Sequence, residues 1–334
     1  MTYDPFVRDR LPPPELLPEF RFDLPELQYP ERLNAAAELL KSGDPGALAF
    51  VNDHGRWTYA DLDAFSGRIA RLLVEEEGLV PGNRVLLRGP NGYTMFAAWL
   101  GVLKAGGVVV ATMPLLRPGE IATVIERAQI SHAIVDSRFI GDFREAVDQT
   151  HFVKHIVKYD GETRTASLDP LPPVDTHRDD PALIAFTSGT TGIPKGCVQF
   201  HRDVLAPCDS FAKHLIGMKP GDVALTSAPL AFTFGLGAAF LFPLRAGATC
   251  ATIEQASPPL MLDAIVKHGV THLGTAPTAY KAMLSQPALD AALKTLRYCL
   301  SAGEHLPEAT WRAWKERTGI AITDGIGSTE MMHI

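Results

Sequence analysis

Hydroxyl side chains, glycines and a lysine are concentrated in Thr187, Ser188, Gly189, Thr190, Thr191, Gly192, Ile193, Pro194, Lys195 and Gly196. Glycine lets a backbone turn tightly and approach a ligand closely. The four hydroxyls supply donors and Lys195 a positive charge, a set suited to a polyphosphate. The apolar residues 183–186 just before predict a buried strand that fixes where the loop begins. The rival phosphate motif is G-x-x-x-x-G-K-[ST] opening a helix. Here Pro194 precedes the lysine and Gly196 follows it, so a P-loop NTPase does not fit.

Two later stretches carry polar groups directly after apolar ones. Ser301, Ala302, Gly303 and Glu304 follow a short strand-like run, and residues 324–330 read Asp-Gly-Ile-Gly-Ser-Thr-Glu. A Thr–Glu pair such as Thr329–Glu330 means little alone; its order after the other two motifs gives it weight. A fourth stretch, 229–237, is apolar, with Phe232, Thr233 and Phe234 followed by Gly235 and Gly237. Aromatic walls with small residues between them suit a flat ring. Each phenylalanine taken singly reads equally well as plain core. A lone histidine is more often structural than functional, and that reading applies to His201.

The elements that must hold these groups alternate. Strands are predicted at 47–51, 84–88, 108–111 and 133–135, with helices at 34–40, from Thr58 or Asp61 to 76, at 93–104 and at 118–128. Glycines at 106 and 107 stop one helix and Pro118 opens another. The alternation resumes with strands at 183–186, 223–226, 249–252, 271–274, 298–300 and 321–323. Helices fall between them near 203–215, 236–244, 259–267, 278–284 and 308–317. Short apolar strands without polar alternation fit a parallel sheet covered on both faces. The expected fold is therefore α/β, with two packed α/β subdomains. The expected division is an arm at 1–30, a first subdomain at 31–168, a Pro/Asp-rich connector at 169–181 and a second subdomain from 182 to 334.

A net charge of −7 argues against non-specific nucleic-acid binding, which needs clustered positive charge. The four cysteines, at 197, 208, 250 and 299, form no C-x-x-C pair or metal-ligand spacing. They read as reduced thiols of a cytoplasmic protein. No basic start with an apolar run marks a secretory signal. The apolar stretch 228–244 contains two prolines and two glycines and falls short of the roughly 20 residues of a membrane span.

TSGTTGIPKG resembles the phosphate-loop motif of the adenylate-forming superfamily, which includes acyl-CoA synthetases, luciferases and the adenylation domains of peptide synthetases. SAGE at 301–304 resembles that family's adenine-side loop, and DGIGSTE its G-x-T-E segment. The wording GIGSTEMMHI is similar to aryl-CoA ligases of the benzoate and 2-aminobenzoate type, and the arm resembles the 2-aminobenzoate members. The resemblance covers essentially the whole chain. It implies ATP and Mg²⁺ as cofactors, coenzyme A as co-substrate and a small aryl carboxylate as partner. It implies that Thr187 to Gly192, Lys195, Ser301 to Glu304, Asp324 and Gly325 bind nucleotide. Thr329 then touches the α-phosphate region and Glu330 holds Mg²⁺, with Lys195, Thr329 and Glu330 as the catalytic set. Phe232, Thr233, Phe234, Gly235, Gly327, His333 and Ile334 line the ring pocket, with His333 facing an ortho substituent. Family members continue beyond the third motif into a ribose-binding Asp, a hinge and a small domain carrying a lysine. Residues 1–334 are accordingly expected to be a front part, from a fragment or a truncated gene, and inactive alone. The alternatives are a binding remnant that turns nothing over, or a ligase for another carboxylic acid.

Overall fold

The computed structural model describes residues 3–159, 165–187 and 194–333. Among them thirteen strands occur: β1 (Leu48–Asn52), β2 (Gly55–Thr58), β3 (Arg84–Arg88), β4 (Val108–Thr112), β5 (His132–Asp136), β6 (His155–Tyr159), β7 (Pro181–Thr187), β8 (Lys195–Phe200), β9 (Val223–Thr226), β10 (Thr249–Ala251), β11 (His272–Thr275), β12 (Tyr298–Ser301) and β13 (Ile322–Asp324). They form two sheets, each parallel except for one antiparallel edge strand, which bears out the α/β expectation.

The chain separates into two compact units. The first comprises Met1–Glu38, Asp63–Pro90 and Thr94–Ser210; the second comprises Leu39–Leu62, Asn91–Tyr93 and Phe211–Ile334. The units interleave rather than divide at 169–181. Strand β7 pairs in parallel with β4, so the start of the expected second subdomain joins the first sheet. Conversely, β1 pairs in parallel with β10 and joins the second. The stretch 169–181 is likewise no free linker. Val174 N–H donates to the Lys104 carbonyl at 2.8 Å, and Leu33 N–H donates to the Thr176 carbonyl at 2.9 Å.

In the first unit the strand order is β6-β5-β3-β4-β7-β8. β3 and β5 are buried along their whole length, as near-continuous apolar runs require when helices cover both faces. Arg84 and Arg88 bracket β3 and are buried. Arg88 is tolerated because its guanidinium donates to the carbonyls of Met113, Pro114 and Leu116 at 2.7–2.9 Å.

In the second unit the order is β13-β12-β11-β9-β10-β1-β2. One face packs on a core that includes Leu273, Tyr280, Cys299 and Trp314. The Tyr280 ring meets Trp314 edge-on, 4.8 Å between centroids. Its hydroxyl lies 2.8 Å from the Leu273 carbonyl and 3.0 Å from that of Leu300, donating its one proton between two neighbouring strands. Tyr280→Phe removes that buried donor, at a cost of about 1–2 kcal/mol. We expect a lower urea midpoint for the variant; an unchanged midpoint would show that the hydroxyl contributes nothing.

Candidate active site

In the first unit, Thr187 and Lys195 are register partners at the open end of the antiparallel β7–β8 pair. β7 and β8 are thus consecutive antiparallel strands, connected in sequence through residues 188–194. No strand was expected directly after residue 194, yet Lys195–Phe200 forms an edge strand of the same sheet. Ser188, Gly189, Thr190, Thr191, Gly192 and Ile193 lie outside the described residues. Lys195 is exposed and Thr187 half-buried. Gly196 has a local reason: a Cβ there would sit 2.8 Å from Ile184 Cγ2. Beyond β8, His201 is buried, and its Nδ1 accepts the Ala35 N–H at 3.1 Å. Burial pushes its pKa down to about 4, so it stays neutral and acts structurally.

In the second unit, the remaining groups leave from carboxyl ends of parallel strands. β9 ends at Thr226, β11 at Thr275, β12 at Ser301 and β13 at Asp324. Ser301 and Asp324 are register partners, and Gly325 N–H donates to the Ser301 carbonyl at 3.0 Å. Ser227 Oγ and Thr275 Oγ1 lie 2.6 Å apart at the same edge. Ser301 and Ala302 are buried, whereas Gly303 and Glu304 are exposed. Gly303 has φ +93°, a conformation costly for residues with a Cβ. Glu304 turns back, its carboxylate accepting the Thr278 N–H at 2.9 Å. That backbone bond holds its pKa below the usual carboxylate range.

The segment after β9 is pinned by Asn91, which the sequence reading missed. Its side-chain amide donates to the Ala228 carbonyl at 2.9 Å, and its Oδ1 accepts the Leu230 N–H at 2.8 Å. Gly235 is required here because a Cβ would overlap the Pro229 carbonyl. A helix begins at Thr233, with Phe232 as the residue before it. Phe232 is 48% exposed. Phe234 turns inward, its ring centroid 5.8 Å from that of His333. The two phenylalanines therefore do not form one continuous wall.

His333 is 2% exposed. Phe211 at 5.6 Å and Phe242 at 4.3 Å, both unforeseen from sequence, complete an aromatic box around it with Phe234. The box draws on distant segments, so no local spacing announced it. Neither ring nitrogen meets the geometry of a hydrogen bond among the described residues. Burial pushes its pKa down to about 4, and interaction with the Phe234 backbone opposes that shift. The loop carrying it is closed by Ser328 N–H donating to the His333 carbonyl at 3.1 Å. Thr329, half-buried, and Glu330, exposed, sit in that loop; Gly327 is exposed. Ile334 lies outside the described residues. No group of three metal-ligating side chains occurs among the described residues. A single exposed carboxylate such as Glu330 suits a metal that completes its shell with substrate phosphate oxygens and water, as Mg²⁺ does.

Gly237 gives the box its room, since a Cβ there would overlap the His333 imidazole. Alanine normally gains about 1 kcal/mol over glycine in a helix, but overpacking a filled core costs about 1–3 kcal/mol. We expect Gly237→Ala to lower the melting temperature and displace His333, seen as shifted imidazole resonances. A variant with wild-type resonances would show that the contact is slack.

The AMP-binding enzyme family model matches residues 40–334. The benzoate–CoA ligase of Thauera aromatica is 33% identical over 324 residues, covering 93% of this chain and 61% of that protein. Among solved structures, the anthranilate CoA ligase AuaEII in complex with anthranoyl-AMP superposes with a TM-score of 0.87 at 28% identity, covering 93% of this chain and 63% of that one. A benzoate CoA ligase from Burkholderia xenovorans LB400 gives 0.83 at 29% identity, with 90% and 62% covered. The chain thus spans about three fifths of the length of these relatives. No helix among the described residues is long and apolar enough to cross a membrane. With a family match over most of its length and three motifs at strand ends, the chain belongs to the AMP-binding enzyme family.

Proposed function

We propose that this chain is the nucleotide- and acid-binding part of an AMP-forming acid–thiol ligase that activates an aromatic carboxylic acid, 2-aminobenzoate or a close relative. The observation that carries the aromatic reading is the box of Phe211, Phe234 and Phe242 around a neutral His333 whose ring nitrogens make no well-formed hydrogen bond among the described residues. A buried polar group without a partner costs about 1–3 kcal/mol. A ligand that brings a polar substituent to it recovers part of that cost. With a pKa of about 4, the imidazole is neutral at pH 7, donating through one nitrogen and accepting through the other.

In this reading a carboxylate oxygen of the acid attacks the α-phosphorus of ATP and pyrophosphate leaves. The sulfur of coenzyme A then attacks the carbonyl carbon of the mixed anhydride and AMP leaves. Both nucleophiles come from the substrates, so the protein positions them and stabilises developing charge on phosphate oxygens. Thr187, the hydroxyls of Ser188, Thr190 and Thr191, and Lys195 take the phosphates. Ser301 to Glu304, with Asp324 and Gly325, take the adenosine side, and Thr329 the α-phosphate region. Glu330 holds Mg²⁺, which offsets phosphate charge when bound. The names of the relatives, benzoate–CoA ligase and anthranilate CoA ligase, support the substrate class. A cytoplasmic location fits four free cysteines.

The test compares kcat/KM of the full-length enzyme for 2-aminobenzoate, benzoate, acetate and a medium-chain fatty acid. A ring burying on the order of 100 Å² at about 25 cal/mol per Å² gains ~2–3 kcal/mol over acetate, or roughly fiftyfold. Both aryl acids should lead, and His333→Phe should narrow the gap between them. Acetate or the fatty acid winning would end the aromatic reading. Equal rates with benzoate and 2-aminobenzoate would remove the role given to His333.

A further inference from the structure

We propose that the N-terminal arm is a positioning element for nucleotide binding, fixing the β7–β8 hairpin by clamping its base. The inference rests on reading Thr187 and Lys195 as phosphate-binding residues.

The arm's first residues join the core of the first unit: Val7 is 3% exposed within it, and Asp4 pairs with Arg84. Beyond them Leu16 is 72% exposed and Leu24 49% exposed, so apolar burial is not what holds that stretch down. The contacts of residues 8–29 gather mainly where the chain enters β7 and leaves β8. On the entry side, Arg8 forms an ion pair with Asp180, one residue before the strand. The Arg178 guanidinium donates to the Tyr29 carbonyl at 2.7 Å. On the exit side, Phe20 meets Phe200, the last residue of β8, at 6.2 Å. Two residues on, the Arg202 guanidinium lies 4.3 Å from the Phe22 ring centroid and 5.3 Å from that of Phe20. Arg202 also pairs with Asp179 at 2.7 Å, which joins exit to entry. Entry and exit are thus tied to each other and to the arm at one place.

β8 is an edge strand, bonded to the sheet only through β7. An edge hairpin pivots about its base more readily than a strand held on both sides. Movement there carries Thr187 and Lys195, register partners at the other end, away from any fixed phosphate position. Arg202 is accordingly a positioning residue, remote along the strand from the loop.

The experiment measures equilibrium binding of Mg·ATP and of 2-aminobenzoate to the full-length protein, with amide hydrogen exchange followed in parallel. The variants are Phe20→Ala/Phe22→Ala, Arg202→Ala, Arg202→Lys and Lys195→Ala. Removing the two rings should weaken Mg·ATP by about fivefold to tenfold, the weight of two partly exposed cation–π contacts. Affinity for 2-aminobenzoate should hold, and exchange should quicken in β8 but not in β3 or β5. Arg202→Ala should behave the same way, and Arg202→Lys should retain most of the affinity. Lys195→Ala should weaken Mg·ATP without altering exchange at the hairpin base. If Lys195→Ala weakens ATP while the arm and Arg202 variants change neither binding nor exchange, the clamp is wrong and the phosphate reading stands. If Lys195→Ala leaves ATP binding intact, the phosphate reading falls and takes the clamp with it. Equal loss of ATP and acid binding with faster exchange throughout would make the arm a general stabiliser and overturn the proposal. Should the alanine pair not fold, Phe20→Leu/Phe22→Leu keeps apolar contact without the ring faces, and the same outcomes decide.

Discussion

Parallel pairing along the edge of the second unit's sheet is the constraint on which the candidate site depends. Because β9, β11, β12 and β13 run in one direction, whatever follows them leaves from the same edge. That is where ligands bind in open α/β sheets. From β9 to β13 is three strand spacings, about 14 Å, within reach of one nucleotide-sized ligand. The segments after β9, β12 and β13 need no further device to be neighbours, only local anchors. Asn91 anchors the first, Glu304 on Thr278 the second and the Gly325–Ser301 bond the third. In the first unit the corresponding device is an edge hairpin rather than a parallel strand end, and its control lies at the base.

In the proposed reading, His333 is the group through which this edge acquires chemical preference. The box around it is aromatic on three sides, while among the described residues neither imidazole nitrogen makes a well-formed hydrogen bond. A purely apolar pocket discriminates between ring substituents weakly; an unpaired donor or acceptor discriminates far more sharply, because the wrong ligand leaves it unsatisfied. Glycines at 235 and 237 set the space, the first against a backbone carbonyl and the second against the imidazole itself.

Much of this was legible in the sequence because the relevant signals are local. The strands Arg84–Arg88 and Val223–Thr226 and the helices Tyr93–Lys104 and Pro118–Ala128 follow from apolar runs, a proline start and glycine stops. The phosphate loop, the SAGE stretch and the Thr–Glu pair were visible as motifs, and the strands before SAGE and the Thr–Glu segment were expected. What escaped depends on partners far away in the chain. β8 opens with exposed Lys195 and Gly196, and only its pairing with β7 makes it a strand. β2 is absent from the expected strands, since Gly55 and Arg56 give no strand signal without β1 beside them. The interleaving of the units follows from β1 choosing β10, a pairing across about two hundred residues that no window reveals. Phe232 and Phe234 looked equivalent, but the helix start at Thr233 sends one outward and the other to His333.

The central claim is that the carboxyl edge of the second unit seats an aryl adenylate with its ring in the His333 box. Diffraction from crystals of the full-length protein grown with a non-hydrolysable 2-aminobenzoyl-adenylate analogue tests it most directly. The account predicts the ring against Phe234, with its amino group hydrogen-bonded to His333 and its adenine beside the 301–304 segment. A ring seated on the exposed Phe232 side, or a His333 imidazole still without a partner in the complex, would contradict it.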